Sequence, residues 1–192
     1  MTDNKTKADR PLPPRPKFAW DAWEATVGYI YSRHSADVTL RLKINPLEHY
    51  IGWNASLTWG ADSERVEDKY AFSLALDDLW TVIEQNHQVI DTMEAAVRRP
   101  IGYDENSILN ERTYSVFSSL VNTTDTVFTG DWQIMITYRP IENADKRYQT
   151  RLIADNHTVN RAGSGVTLRD ACRNLLRNAA PIFHQYVKQK SE

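Results

Sequence analysis

The chain has 192 residues, of which 41% are hydrophobic and 25% charged, an ordinary composition for a globular protein. Its net charge of −2 excludes a global basic field, so any nucleic-acid binding must use a local patch. One cysteine, Cys172, excludes an intrachain disulfide and a cysteine metal cluster. No apolar run approaches the ~18 residues of a membrane span and no secretory signal is evident, so we expect a cytoplasmic or nucleoid-associated protein.

The first 19 residues are polar and then rich in proline between Arg10 and Lys17. Proline fixes φ and removes backbone donors, so residues 1–19 are predicted to form a disordered, basic, proline-rich arm. Such a segment also resembles a ligand for SH3-type grooves. Residues 20–192 are then predicted to form a single domain.

The first half of this domain is predicted to contain four strands and a helix. Val27–Tyr31 is a short strand candidate. Asp37–Ile44 and Trp53–Trp59 alternate between apolar and polar residues, which indicates strands. Tyr70, Phe72 and Leu74 suggest a fourth strand. From Leu76 onward apolar residues recur every three or four positions, which predicts a helix.

The second half shows the same order of elements. Thr113–Phe117, Trp132–Tyr138 and Arg147–Ala154 are predicted strands, and a fourth is expected between residues 157 and 166. Thr167 then begins a long helix, with Asp170 placed as in a capping box. Gly163-Ser164-Gly165, just before it, suggests a flexible turn. Pro181 predicts a kink in the helix.

Both halves align at a constant offset. Thr39–Pro46 corresponds to Gln133–Pro140, and Ser73 at one helix start corresponds to Thr167 at the other, an offset of 94 in each case (133 − 39 and 167 − 73). A fixed spacing indicates a structural unit used twice. The predicted fold class is therefore α+β, with antiparallel sheets packed on helices in two ββββα repeats, about residues 27–99 and 112–188.

Basic and aromatic residues on these strands are suited to bind unpaired nucleic acid, which offers phosphates to cations and bases to aromatic faces. The candidate cations are Arg33, His34, Arg41, Lys43, Lys69, Arg139, Arg147 and Arg151. The candidate stacking platforms are Tyr29, Tyr31, Trp53, Trp59, Trp132 and Tyr138. For the tryptophans and Tyr138, core packing is the competing interpretation, because they lie on the more apolar strand face.

The segment Asp68–Ile83 resembles the fourth strand and first helix of the Whirly single-stranded-DNA-binding proteins, where a lysine-bearing strand runs directly into a helix. Gly28–Tyr31, Asp37–Pro46 and Asn178–Phe183 are similar to other elements of that family in the same order. The resemblance implies a tetramer that binds single-stranded DNA across its sheets. The family's Lys-Gly-Lys motif is replaced here by Ser32–Ser35.

Two other classes of protein compete with this interpretation. An enzyme is disfavoured, because the sequence lacks a P-loop, a His-Glu-x-x-His helix and a nucleophile elbow, and no cofactor is expected. A protein-interaction or assembly module is the stronger alternative, either a phage accessory protein or a HicB-like antitoxin, which Thr167–Ala171 resembles. The sequence-based hypothesis is a single-stranded DNA-binding protein, with RNA as the other possible ligand and with low sequence specificity.

Overall fold

The computed structural model describes residues 38–86, 109–129, 131–140 and 144–191, together with Trp20, Trp23, Glu24, Val27, Gly28 and Tyr31. The fold is α+β. Its principal elements are β1 (Val38–Pro46), β2 (Ile51–Trp59), β3 (Asp62–Lys69), α1 (Phe72–Asn86), α2 (Glu111–Val127), β4 (Trp132–Tyr138), β5 (Tyr148–Ala154), β6 (Val159–Gly165) and α3 (Leu168–Ser191). Among the described residues, no helix is both long and apolar enough to cross a membrane.

All six strands form one antiparallel sheet in the order β3-β2-β1-β4-β5-β6. This order has an internal twofold relation, because β1 and β4 are neighbours at the centre of the sheet. Leu42 pairs with Ile136, and these two residues are themselves separated by the sequence offset of 94 (136 − 42). The offset seen in the sequence therefore describes a pseudo-twofold axis through the middle of the sheet.

One face of the sheet is buried beneath the helices. The alternating apolar residues of β1, β2 and β4 point to this side and are almost fully buried, as in an antiparallel sheet covered on one face. Trp53, Phe72 and Phe117 form its aromatic centre, with ring centroids 5.5–5.7 Å apart. These rings join a strand, α1 and α2 in one core.

The predicted strand Val27–Tyr31 is wrong at its described positions. Val27, Gly28 and Tyr31 are helical, as are Trp20 and Trp23. Trp23 and Val27 are fully buried, and they lie four residues apart, which places both on one face of a helix.

The N-terminal helical residues are attached to β5 through Tyr148. The Nε1–H of Trp20 donates to the Tyr148 hydroxyl at 2.8 Å, and that hydroxyl donates to the Glu24 carboxylate. Tyr148 is 1% exposed, so the bond from Trp20 is buried and the bond to Glu24 is partly buried. The described residues between 20 and 31 therefore pack against the sheet.

The predicted strand Thr113–Phe117 is also wrong, because these residues lie in α2. Asn110 caps this helix, its side chain accepting a hydrogen bond from the backbone N–H of Thr113 at 2.9 Å. Phe117 and Leu120 are buried against the core. Burial of this helical face outweighs the modest helix propensity of the serines and threonines in the sequence.

The two ββββα repeats are not confirmed. Three described strands, β1 to β3, precede α1. Three more, β4 to β6, lie between α2 and α3, and all of these strands belong to one continuous sheet. The predicted fourth strand at Tyr70–Leu74 is wrong, since α1 begins at Phe72. The other predicted strands match β1, β2, β4, β5 and β6 within a few residues.

Helix α3 lies unusually close to the edge strand β6. A Cβ atom added to Gly163 would lie 2.3 Å from the backbone nitrogen of Leu175 and 2.5 Å from the carbonyl oxygen of Ala171. Glycine is therefore required for this close approach. The segment Gly163–Gly165 is thus part of a strand under a helix, which corrects the prediction of a flexible turn.

Candidate nucleic-acid interface

None of the helices in the described ranges packs on the second face of the sheet, and the strand residues of this face are mainly polar. Alternation places one set of cations on this open face, namely Arg41, Lys43, Arg65, Arg139 and Arg151. Among the described strands, β3 adds one carboxylate to this face, that of Glu67. Its Oε1 lies 3.6 Å from Nη1 of Arg65 on the same outer strand. The centre of the open face, over β1, β4 and β5, is therefore basic.

A groove of about 820 Å³ lies over this basic centre and extends to α3. Among the described residues that line it, five side chains are cationic and none is a carboxylate. The cations are Arg41, Arg139, Lys146, Arg151 and Arg177, and neutral polar groups between them include Thr137, Gln149, Asn160, Ser164, Asn174 and Asn178. Arginine keeps its charge at any physiological pH, so the groove is a permanent anion-attracting surface.

Helix α3 forms one side of the groove, where it is hydrogen-bonded to the edge strand β6. The Nδ2 groups of Asn174 and Asn178 donate to the backbone oxygens of Ser164 and Ala162 on β6, each at 2.8 Å. These bonds satisfy carbonyls that an edge strand would otherwise expose. They also fix the flank of α3 along the edge, which brings Arg177 into the groove.

A smaller hollow of about 280 Å³ lies on the same face toward the far end of β1. Lys43 lines it with Gln133, Asp131 and His157. Because Asp131 contributes a carboxylate, this hollow is less basic than the groove. It nevertheless extends the polar surface along β1 and β4.

Four of the predicted site residues therefore meet on the open face. Arg41, Arg139 and Arg151 line the groove, and Lys43 lies in the adjoining hollow. Arg147 is exposed beside them, its backbone oxygen accepting from the Arg139 N–H at 3.0 Å. Tyr29, Arg33 and His34 lie outside the described residues.

The predicted aromatic platforms do not line the groove, and among them only Trp132 lines the smaller hollow in the part of the chain that the structure describes. Trp53, Trp59, Trp132 and Tyr138 are 3–8% exposed and pack on the helix-covered face of the sheet. Tyr31 is partly buried against the same core. Burial of Trp53, Trp59, Trp132 and Tyr138 leaves these four rings without a face open to a base in solvent, which argues against their assignment as stacking groups. Alternation places Arg41, Lys43 and Arg151 on the face opposite to the tryptophans.

Lys69 is the other residue that the structure removes from the open face. A β-bulge lies between the pairs of Trp53 and Ala55 with β3, and Asp68 adopts a positive φ of 53° there. The extra residue reverses the alternation after Val66. Lys69 consequently faces the helices, and its Nζ lies 2.7 Å from Oδ2 of Asp78 on α1.

The sequence reasoning missed Lys146 and Arg177, which line the groove from outside the six strands. Lys146 lies in a short 3-10 helix at Ala144–Lys146, just before β5. Arg177 lies on α3, where the four-residue spacing of Arg173 and Arg177 was the available signal for a common helix face.

The groups with clearly shifted pKa values lie away from the groove. Burial raises the pKa of Tyr148 and Tyr138 on the helix side, and it raises the pKa of Cys172 in the core to about 12. At the β5–β6 turn, a hydrogen bond from Tyr186 lowers the pKa of Asp155. Shifted pKa values often mark acid–base chemistry, and here they accompany burial and turn formation instead.

The groove is thus equipped to bind an anion through fixed positive charge and hydrogen-bond donors. Among the residues that the structure describes, no three His, Cys, Asp or Glu side chains are grouped to hold a metal ion. No protein-family model and no curated protein sequence matches this chain.

Proposed function

We propose that this protein is a non-enzymatic single-stranded nucleic-acid-binding protein with low sequence specificity. The observation that supports this proposal is the groove, whose described lining residues include five cations and no carboxylate on one continuous surface. Arginine binds phosphate through two parallel N–H donors, so Arg41, Arg139 and Arg151 suit a phosphodiester chain. Because these residues project from neighbouring strands, they follow one another across the sheet.

Phosphate contacts are expected to dominate the affinity. In the six described strands, no aromatic residue projects from the open face, so these strands supply no stacking platform. Phosphate contacts carry no base information, which explains low specificity. They release counterions, so the affinity should fall steeply with salt, with a slope of about 0.7 per contacted phosphate for a single strand.

The remaining sequence-based hypotheses accompany this proposal. Single-stranded DNA is the proposed ligand, with RNA as the alternative, and a homotetramer is the proposed assembly. A distant Whirly-like relationship and a cytoplasmic or nucleoid-associated location are part of the same hypothesis. A mass measurement in solution, with and without oligo(dT), tests the assembly and the ligand stoichiometry together.

A protein-interaction module is the second candidate, with an acidic protein segment as its partner. The observation that favours it is the same lack of aromatic groups on the open strand face, because an acidic peptide needs cations without stacking platforms. Under this alternative, soluble polyglutamate should compete for the groove more effectively than oligonucleotides.

The test is fluorescence anisotropy with a labelled strand of about 30 nucleotides at low salt. The double substitution R41A/R151A is expected to weaken binding and lower the salt slope by about 1.4, two contacts at 0.7 each. R112A is the matched control, because Arg112 is exposed at the start of α2 and lines a different hollow. Absence of saturable binding by the unmodified protein, or unchanged binding by R41A/R151A, would contradict the proposal.

A further inference from the structure

A basic stripe runs along the outward face of α3. Arg173, Arg177, His184 and Lys188 are all exposed and follow one another at spacings of four, seven and four residues. These spacings keep side chains on one face of an α-helix. The opposite face is buried against the sheet, as the fully buried Leu175 shows.

The charged residues of α3 are almost all positive, in contrast to those of α1. After Asp170, the helix contains no acidic residue as far as Ser191, its last residue. Its pseudo-symmetric counterpart α1 contains no lysine or arginine and carries Asp77 and Asp78. A merely solvated helix face would use both signs of charge, so the one-sided charge of α3 points to an anionic partner.

The stripe is continuous with the groove at Arg177. This side chain lines the groove together with Arg41 and Arg151 of the sheet. It also lies one turn from Arg173 on the outward face of the helix. Cations therefore continue from the open face, around the β6 edge, and along α3 to Lys188. The stripe from Arg173 to Lys188 spans about 22 Å at 1.5 Å per residue.

We infer that a bound strand leaves the groove at Arg177 and follows this stripe along α3, so that the full site requires a long, flexible, single-stranded polyanion. The inference rests on the proposed nucleic-acid function and defines its ligand further. At about 3.4 Å per stacked nucleotide, the stripe contacts roughly six nucleotides beyond those in the groove. A duplex, with a persistence length of about 150 base pairs, is too stiff to turn around the sheet edge.

The experiment compares oligo(dT) of five and twenty nucleotides, together with a 20-base-pair duplex. In R173A/K188A, the affinity for the 5-mer should remain unchanged, because a short strand occupies only the groove. The affinity for the 20-mer should fall, and its salt slope should decrease by about 1.4, or 0.7 per lost cation. R112A serves again as the control, and circular dichroism confirms that each variant is folded.

Three results would overturn the inference while leaving the proposed function intact. The first is unchanged 20-mer binding by R173A/K188A, and the second is an equal loss for the 5-mer and the 20-mer. The third is duplex binding as tight as that of the 20-mer single strand. Failure of the unmodified protein to bind any oligonucleotide would instead overturn the proposed function, and the inference with it.

Discussion

Substituting Gly163 with alanine tests the close packing that places α3 beside the groove. The added Cβ would lie 2.3 Å from the nitrogen and 2.9 Å from the Cα of Leu175, whereas ordinary carbon contacts are about 3.5–4.0 Å. Both are backbone atoms, so no side-chain rotation relieves the overlap and α3 has to move by about 1 Å. Overpacking of this kind costs about 1–3 kcal/mol, occasionally more.

The displacement also affects a buried hydrogen bond. The Thr150 hydroxyl lies 2.9 Å from the Ala171 carbonyl oxygen, across the same helix–sheet contact. Weakening it adds about 1 kcal/mol. We therefore expect G163A to lower the free energy of unfolding by about 3 kcal/mol, which lowers the Tm by roughly 6–12 °C for a chain of this size.

The matched control is the same substitution at Gly28. This residue is helical, and nothing lies within 4 Å of the position of an added Cβ. Replacing a helical glycine by alanine stabilises by about 0.5–1 kcal/mol, so G28A should raise the Tm slightly. Urea denaturation and thermal unfolding measure both effects. A Tm for G163A within about 1 °C of the unmodified protein would refute the close-packing argument.

Three further predictions concern buried groups. T150V should lower the free energy of unfolding by about 1–2 kcal/mol in urea, because the hydroxyl that donates to the Ala171 oxygen is lost. A change below about 0.3 kcal/mol, roughly the measurement error, would contradict this hydrogen bond. Y148F should lower the free energy of unfolding by about 2–3 kcal/mol, since Trp20 and Glu24 each lose a buried partner, and unchanged stability would show that these contacts are absent. Cys172 should resist a thiol reagent at pH 8 until denaturant is added, and rapid labelling of the native protein would be the contrary result. Because burial raises the pKa of the folded thiol from 9.0 to about 12, its contribution to stability is complete below pH 9 and is lost as the pH rises toward 12.

The sequence predicted the long strands well and the short segments poorly, for a geometric reason. β1, β2 and β4 alternate over seven to nine residues, which only a strand explains. Val27 and Tyr31 are four residues apart, as are Thr113 and Phe117, and a spacing of four satisfies both a strand and a helix. The two predicted strands cover only five residues each. Apolar residues farther along the chain, such as Leu120 three residues after Phe117, continue the helical spacing and so identify α2.

The candidate site was predictable only where simple alternation applied. Arg41 and Arg151 were placed correctly because their strands are regular around them. Lys69 was misplaced because a bulge reverses the alternation, and no local pattern announces a bulge reliably. Arg177 depends on how closely α3 packs on β6, which is a tertiary property that two glycines permit but do not by themselves reveal.

The pseudo-twofold arrangement allows the two halves of the sheet to be compared residue by residue around the groove. Register makes Arg151 equivalent to Ser56 and Arg139 equivalent to Asn45, whereas Arg41 of the first half is equivalent to Met135. Each half therefore contributes cations at positions where the other half is neutral. Gly163 is likewise equivalent to Val66, whose side chain would hold a helix farther from the sheet. The two halves of the sheet therefore differ in where their cations lie, and close helix packing at Gly163 occurs in the second half, where Arg177 joins the groove. A binding site created by this asymmetry should tolerate substitutions at Ser56 and Asn45 but lose affinity at Arg151 and Arg139, which the anisotropy assay with single alanine variants measures directly.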